Sequence, residues 1–373
     1  MAEPWGREDG VYRPEGNSTP ATSIEPFRFT GTAREYFGIW IVNILLTIVT
    51  LGIYSAWAKV RRMRYFYGST FLAGSAFDYH ARPVQILVGR IVVLVLIVAY
   101  NVALSIFPIA SLVLGAAFLF AVPFFVMRGL RFSARVTSYR NVRFDFTGGY
   151  WGAFRAYVVG GMMTWVSLGI LAPLASRWMW TYTLGNVTYG RRPVSTDPAL
   201  GALYRQWILP AVIVAGGMVV FGIVAALLAT SFFGLWEQVP ELEDETAAIL
   251  AVLGVIWASL IPILILLGIA VLFYRAGTRN VAFNATLIDG RHRLVSKVGR
   301  RRYTWISVTN VLATFASLGL ARPWAAIRMA RYMAATTALS VSGPLDDFIS
   351  AAQQEGGAVG SEYMDMEGLD FGF

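Results

Sequence analysis

Three times in this chain an apolar segment runs into the dipeptide Leu-Gly and then changes character at once. The first copy, Tyr36 to Tyr67, reads YFGIWIVNILLTIVTLGIYSAWAKVRRMRYFY. Thr164 to Tyr182 reads TWVSLGILAPLASRWMWTY, and Thr314 to Tyr332 reads TFASLGLARPWAAIRMARY. A shift of 117 residues lays Thr47, Leu51, Gly52 and Tyr65 on Thr164, Leu168, Gly169 and Tyr182. A shift of 267 lays Asn43, Thr47, Leu51, Gly52, Trp57, Arg61, Arg64 and Tyr65 on Asn310, Thr314, Leu318, Gly319, Trp324, Arg328, Arg331 and Tyr332. Ungapped identity at so many polar and aromatic positions marks an internal repeat. The fold must therefore house one broken segment three times.

The medium for those segments follows from composition. Hydrophobic residues make up 56% of the chain and charged residues 14%, against roughly 25% charged in a soluble domain. This is the signature of an integral membrane protein. The formal charge of +9 suits a basic face toward anionic lipid better than nucleic-acid binding. The absence of cysteine excludes disulfides, thiolate metal sites and cysteine nucleophiles. Met1 to Pro26 is polar and mixed in charge and reads as a disordered cytoplasmic arm rather than a signal peptide.

Each unit opens on a short alternating run that predicts a strand ending in a turn. These are Phe27-Arg28-Phe29-Thr30-Gly31, Phe144-Asp145-Phe146-Thr147-Gly148 and a degenerate Phe283-Asn284-Ala285-Thr286. The third placement rests on Arg140-Asn141-Val142 matching Arg279-Asn280-Val281, and it implies about 11 inserted residues before the third apolar segment. Two pairs of long apolar runs follow units one and two: Val84 to Phe107 with Ile109 to Met127, and Ile208 to Phe233 with Ala248 to Phe273. Each is near or above the roughly 20 residues that cross a bilayer, so four transmembrane helices in two hairpins are expected. The expected fold class is all-α and polytopic, with three further broken, re-entrant helices and short cytoplasmic strands. The expected divisions are an arm at 1–26, repeat unit 1 with its hairpin at 27–139, unit 2 with its hairpin at 140–278, unit 3 at 279–342 and a disordered acidic tail at 343–373.

Charge decides between crossing and re-entry. If all three repeat segments cross, Lys and Arg divide 12 against 16. If each dips and returns, all 28 lie on one side and neither hairpin link carries any. The positive-inside rule favours the second arrangement, with both termini cytoplasmic; the count compels re-entry only for the middle copy and leaves copies one and three free to cross individually. A half-inserted segment must satisfy its own backbone polar groups. Gly52, Gly169 and Gly319 permit a tight turn, Pro173 and Pro323 bar continuation of the helix, and Thr47, Thr164 and Thr314 can bond carbonyls there.

The motifs FxFTG, TLGI-x-x-x-WAKVR-x-x-RYFY, Gly74-x-x-Phe77-x-Tyr79 and Pro83 leading into Gly89-Arg90 resemble the YjgN-like family of bacterial inner-membrane proteins, which carries a domain of unknown function. The resemblance runs from about Pro26 to Arg331. Ala56 departs from the proline common there; Pro173 and Pro323 keep it in the other copies. The resemblance implies a multi-span inner-membrane protein and a membrane metallopeptidase as candidate partner. It brings no catalytic or transport residues.

Residue chemistry points away from an enzyme and from a metal or cofactor. The two histidines, His80 and His292, have no ligand-spaced companion, and no HExxH, GxSxG or phosphate-loop motif occurs. The aromatic and basic segment with Trp57, Lys59, Arg61 and Arg64, of which Trp57, Arg61 and Arg64 share one helix face that Arg328 and Arg331 repeat in part, suits lipid headgroups or a specific anion. Arg155 lies within the apolar part of the second copy, where an ionisable residue suggests function. Two readings follow: a transporter or channel for a small anionic solute or lipid at the repeat interface, or a non-enzymatic scaffold or sensor that engages a partner.

Overall fold

The short strands that bracket each repeat assemble into one sheet. The computed structural model describes residues 22–106, 110–236 and 245–364. Its strands are β1 (Thr22–Pro26), β2 (Arg28–Phe29), β3 (Thr70–Leu72), β4 (Ser75–Tyr79), β5 (Thr137–Tyr139), β6 (Val142–Phe146), β7 (Val187–Tyr189), β8 (Arg192–Thr196), β9 (Thr286–Ile288), β10 (His292–Ser296) and β11 (Thr337–Ser342). They form an 11-stranded sheet in the order β1-β11-β10-β9-β8-β7-β6-β5-β4-β3-β2, every pair antiparallel. The two ends of that order, β1 and β2, are separated in the chain only by Phe27, whose N–H donates to Thr337 O at 3.0 Å. The sheet thus curls into a nearly closed barrel. This corrects the all-α expectation. Strands of two to six residues are too short to show a firm period of two, and their partners lie across long helical insertions.

The helices leave from one rim. Α first repeat limb α1 (Ala33–Val49) and its return α2 (Ser55–Gly68) connect β2 to β3, whose ends pair as Phe29 with Thr70. In unit two the limb comprises α5 (Tyr150–Ala153), a π-helical stretch (Phe154–Val159) and α6 (Gly160–Val166), and α7 (Ala172–Gly185) returns to pair Val187 with Phe146. In unit three α10 (Arg300–Ala316) and α11 (Arg322–Ala335) join Ser296 to its partner Thr337. The long hairpins α3 (Pro83–Ile106) with α4 (Ala110–Arg135), and α8 (Leu200–Trp236) with α9 (Glu245–Asn284), likewise begin and end on the paired residues Tyr79 and Thr137, and Thr196 and Thr286. Four helical stretches are long and apolar enough to cross a membrane among the described residues, so the chain is an integral membrane protein. Pro108 and most of the acidic link, Glu237, Glu241, Glu243 and Asp244, lie outside the described residues.

Register also relocates the third unit. Phe29, Phe146 and Ser296 each end a strand 22 residues before Leu51, Leu168 and Leu318. The equivalent of the first two strands is therefore β10, and no insertion precedes α10. Phe283-Asn284 belongs to the last turn of α9, and Thr286 opens β9. The shared Arg-Asn-Val triplet misplaced the match. The N-terminal arm also ends in order: β1 pairs with β11 from Thr22–Ser342 to Pro26–Ala338. That position corresponds to β4 and β8 in the other units.

The barrel interior is solid. Leu72, Tyr139, Val142, Tyr189, Leu339 and Val341 converge from strands around the ring. The opposite rim, where the tight strand turns lie, is covered by α12 (Leu345–Met364). Phe348, Ile349 and Ala352 of this helix enter the same core, with Phe348 stacked 5.8 Å from Tyr189 and edge-on 4.4 Å from His292. Arg140 bonds Asp346 at 2.5 Å, and Gln353 donates to Arg140 O at 2.8 Å. A segment expected to be a disordered acidic tail therefore begins as a docked helix. Its apolar residues seat it in the core, and Asp346 ties it to Arg140.

Candidate functional site at the helix breaks

All three repeats fold their break in one way. Leu51, Leu168 and Leu318 adopt φ of 50°, followed by Gly52, Gly169 and Gly319 at 94°, 89° and 95°. The glycine N–H reaches back to Thr47 O, Thr164 O and Thr314 O at 2.8, 2.7 and 2.7 Å. This is a Schellman closure with leucine, not glycine, in the left-handed position. Each threonine hydroxyl donates to the carbonyl four residues earlier, on Asn43, Gly160 and Asn310. A second hydroxyl, which sequence reading passed over, caps the far side of the turn. Thr50, Ser167 and Ser317 accept from the N–H of Tyr54, Leu171 and Ala321 at 2.9, 3.0 and 2.8 Å. Repetition of a hydroxyl just before Leu-Gly was the available signal.

The bases of the pairs are tied just as regularly. Tyr65 OH accepts from Thr32 N–H at 2.8 Å, Tyr182 OH donates to Gly149 O at 3.0 Å, and Tyr332 OH accepts from Gly299 N–H at 2.8 Å. The end of each return helix is thus pinned to the start of its outgoing limb. The tips, in contrast, are bare: Leu51, Leu168 and Leu318 are 94%, 93% and 95% exposed, beside exposed Val49, Ile53, Trp165, Val166, Ile170, Phe315 and Leu320.

The basic residues singled out by sequence have different surroundings. Arg61 and Arg64 are exposed on α2, and Lys59 is half-buried. Trp57 stacks on Tyr54 at 6.3 Å. Arg328 donates to Thr309 Oγ1 and Asn310 Oδ1 at 2.7 and 3.1 Å, which ties α11 to α10. Arg331 donates to Gly31 O at 2.8 Å, linking unit three to unit one. Arg155 is exposed and lies 5.5 Å from the Trp178 ring. Asn43, which matches Asn310, is buried with its Oδ1 lacking a partner, because Arg61 does not reach it as Arg328 reaches Asn310. His80 bonds Ser138 Oγ at 2.7 Å. His292 is buried at 1% exposure, accepts from Ser342 N–H at Nδ1, and is held below its ordinary pKa by burial and then by Arg291, against the pull of Asp289. Among the described residues no three His, Asp or Glu side chains converge as metal ligands.

Two cations that sequence reading left aside stand at the breaks. Arg322 opens α11 and, with Asn310, Val311, Thr314, Phe315, Leu318 and Gly319, lines a cleft of about 570 Å³. Its side chain makes no hydrogen bond or ion pair among the described residues. Arg90 of α3 bonds Ser55 Oγ at the first position of α2. At the corresponding place in unit two Trp207 of α8 donates its indole N–H to Gly169 O at 2.8 Å. The cleft has apolar walls, amide and hydroxyl groups, and one cationic end, a combination that fits an amphipathic anion.

A helix-rich membrane protein built as three barrel-mounted repeats is the class that this architecture defines. The family model for a bacterial protein of unknown function, DUF898, matches residues 24–366, and the chain belongs to that family. It is 27% identical over 356 residues to the inner membrane protein YjgN of Salmonella typhimurium, covering 85% of this chain and 88% of that protein. Two proteins of the same name are 35% identical over 133 residues in Escherichia coli O157:H7 and 36% over 129 in Escherichia coli K12. These cover 34% of this chain and 33% and 32% of theirs. No solved structure matches the chain.

Proposed function

We propose that this chain is a bacterial inner-membrane carrier that binds an anionic amphiphile, a lipid or lipid-like solute, at the break of the third repeat. The cleft at Arg322 carries the reading. An arginine beside an apolar tip is costly unless it meets an anion or reaches water, and the start of α11 adds the positive end of a helix dipole. Broken helices at repeat interfaces hold substrates in many transporters in this way.

Membrane placement in this proposal follows from the tips. Left-handed leucine costs roughly 1–2 kcal/mol relative to ordinary helix, and three copies place that leucine almost wholly outside the protein. Hydrocarbon around the tip offsets the cost. Each outgoing limb has 17 residues, or about 25 Å at 1.5 Å per residue, short of the roughly 30 Å hydrocarbon core. The repeats dip and return, with the barrel and both termini on the cytoplasmic side by the positive-inside rule.

The filled barrel favours a second reading, a scaffold that presents its cytoplasmic barrel to a partner such as a membrane metallopeptidase. Vesicle reconstitution separates the two. As a carrier, the protein accelerates transbilayer movement of a fluorescent phosphatidylglycerol, and Arg322→Gln slows it at least tenfold. Movement at the rate of protein-free vesicles sinks the carrier and leaves the scaffold.

A further inference from the structure

We infer that unit one holds a separate phosphate-binding site between α2 and α3, formed by Ser55, Lys59, Arg62 and Arg90. The inference goes beyond the Arg322 cleft and does not depend on it. Arg90 is exposed two turns into the apolar run of α3, where an ionised side chain pairs with an anion or reaches the membrane surface. Its guanidinium meets the neutral hydroxyl of Ser55. One turn along α2 comes half-buried Lys59, and three residues later Arg62. Ser55, Lys59 and Arg62 stand at i, i+4 and i+7, on the one face of α2 that Arg90 reaches. None of the three forms an ion pair with a carboxylate among the described residues.

The repeat supplies an internal control. Positions 55, 59, 62 and 90 correspond to Ala172, Ser176, Met179 and Trp207 in unit two, all uncharged. There Ser176 bonds Tyr274 OH at 2.9 Å and Trp207 bonds Gly169 O at 2.8 Å, so neutral groups complete the same junction. The architecture therefore does not require three cations at this place. A phosphate group suits them: it carries negative charge and several acceptor oxygens, and a guanidinium can bind two of them side by side. A phospholipid headgroup and a soluble phosphate compound share that chemistry.

The test uses the full chain in detergent, titrated with phosphatidylglycerol and read by native mass spectrometry, and in parallel with inorganic phosphate and read by calorimetry. Arg90→Gln and Lys59→Gln are each expected to weaken binding about tenfold to a hundredfold, the loss of one charge-assisted contact. Arg34→Gln, an equal charge change on the exposed first turn of α1, should keep affinity within twofold. Lipid binding alone assigns the site to a headgroup, and phosphate binding, with or without lipid, assigns it to soluble phosphate. Lys59→Gln removes a side chain with no hydrogen bond among the described residues, so it still reports if Arg90→Gln fails to fold. Binding of neither ligand, or wild-type affinity in a folded Arg90→Gln or Lys59→Gln protein, overturns the inference. Loss of affinity in Arg322→Gln alone would instead implicate the third-unit cleft.

Discussion

Replacing the three tip leucines with aspartate gives opposite results in water and in lipid. Leu51, Leu168 and Leu318 are 94%, 93% and 95% exposed, so the protein itself neither shields nor supports them. In water aspartate is no worse than leucine here, because it tolerates the left-handed conformation of these positions better. At the bilayer centre leucine is favoured by a few tenths of a kcal/mol while aspartate costs about 2.5–3.5, so about 3–4 kcal/mol per tip is the upper bound for a tip nearer the far interface. Three tips sum to at most about 9–12 kcal/mol, against the whole stability of a typical domain at about 5–15 kcal/mol. Leu168→Asp alone should lower the melting temperature of the reconstituted protein. The triple variant should fail to accumulate folded in membranes, measured as the monodisperse fraction of a fluorescent fusion. Wild-type accumulation and melting of the triple variant would refute membrane insertion of the tips.

Two further outcomes concern the barrel. Phe348→Ala removes the aromatic side chain that joins α12 to Tyr189 and His292. A buried Phe→Ala change costs about 3–5 kcal/mol, so hydrogen exchange of residues 345–354 should quicken by two orders of magnitude or more; unchanged exchange would mean that docking rests elsewhere. His292 binds fewer protons folded than unfolded, since burial and Arg291 lower its pKa from 6.5 while Asp289 opposes them. Its contribution to stability is therefore complete above about pH 6.5 and declines as pH falls toward the lowered folded pKa. His292→Asn should flatten that decline in a thermal-melt series across pH 5–7, and an unaltered slope would assign it to other groups.

Legibility differed by scale. The repeat and the four long apolar helices are plain from the chain, because a period of over a hundred residues and runs of twenty apolar residues survive any tertiary context. The leucine and glycine of each break also stand out, since Leu-Gly recurs in register with Thr47, Thr164 and Thr314. The barrel does not. Its strands of two to six residues pair through contacts such as Thr196 with Thr286, across a long hairpin, and nothing local announces that partner. The same limit hid Arg90 and Arg322. A cation's meaning depends on which carboxylates lie near it, and only the folded chain shows that Arg328 is tied to Asn310 while Arg322 stands beside an open cleft.

By itself the sequence determined that this is a membrane protein with one element written three times, because hydropathy, charge bias and self-similarity are additive along the chain. Tertiary structure alone decided that those elements stand on a common barrel, that β1 completes the third unit and that the acidic C-terminal segment begins by closing the opposite rim. Each of these depends on non-local pairing or on side chains brought together from distant segments. The energy of such contacts belongs to pairs of residues, and the linear order does not record the pairs.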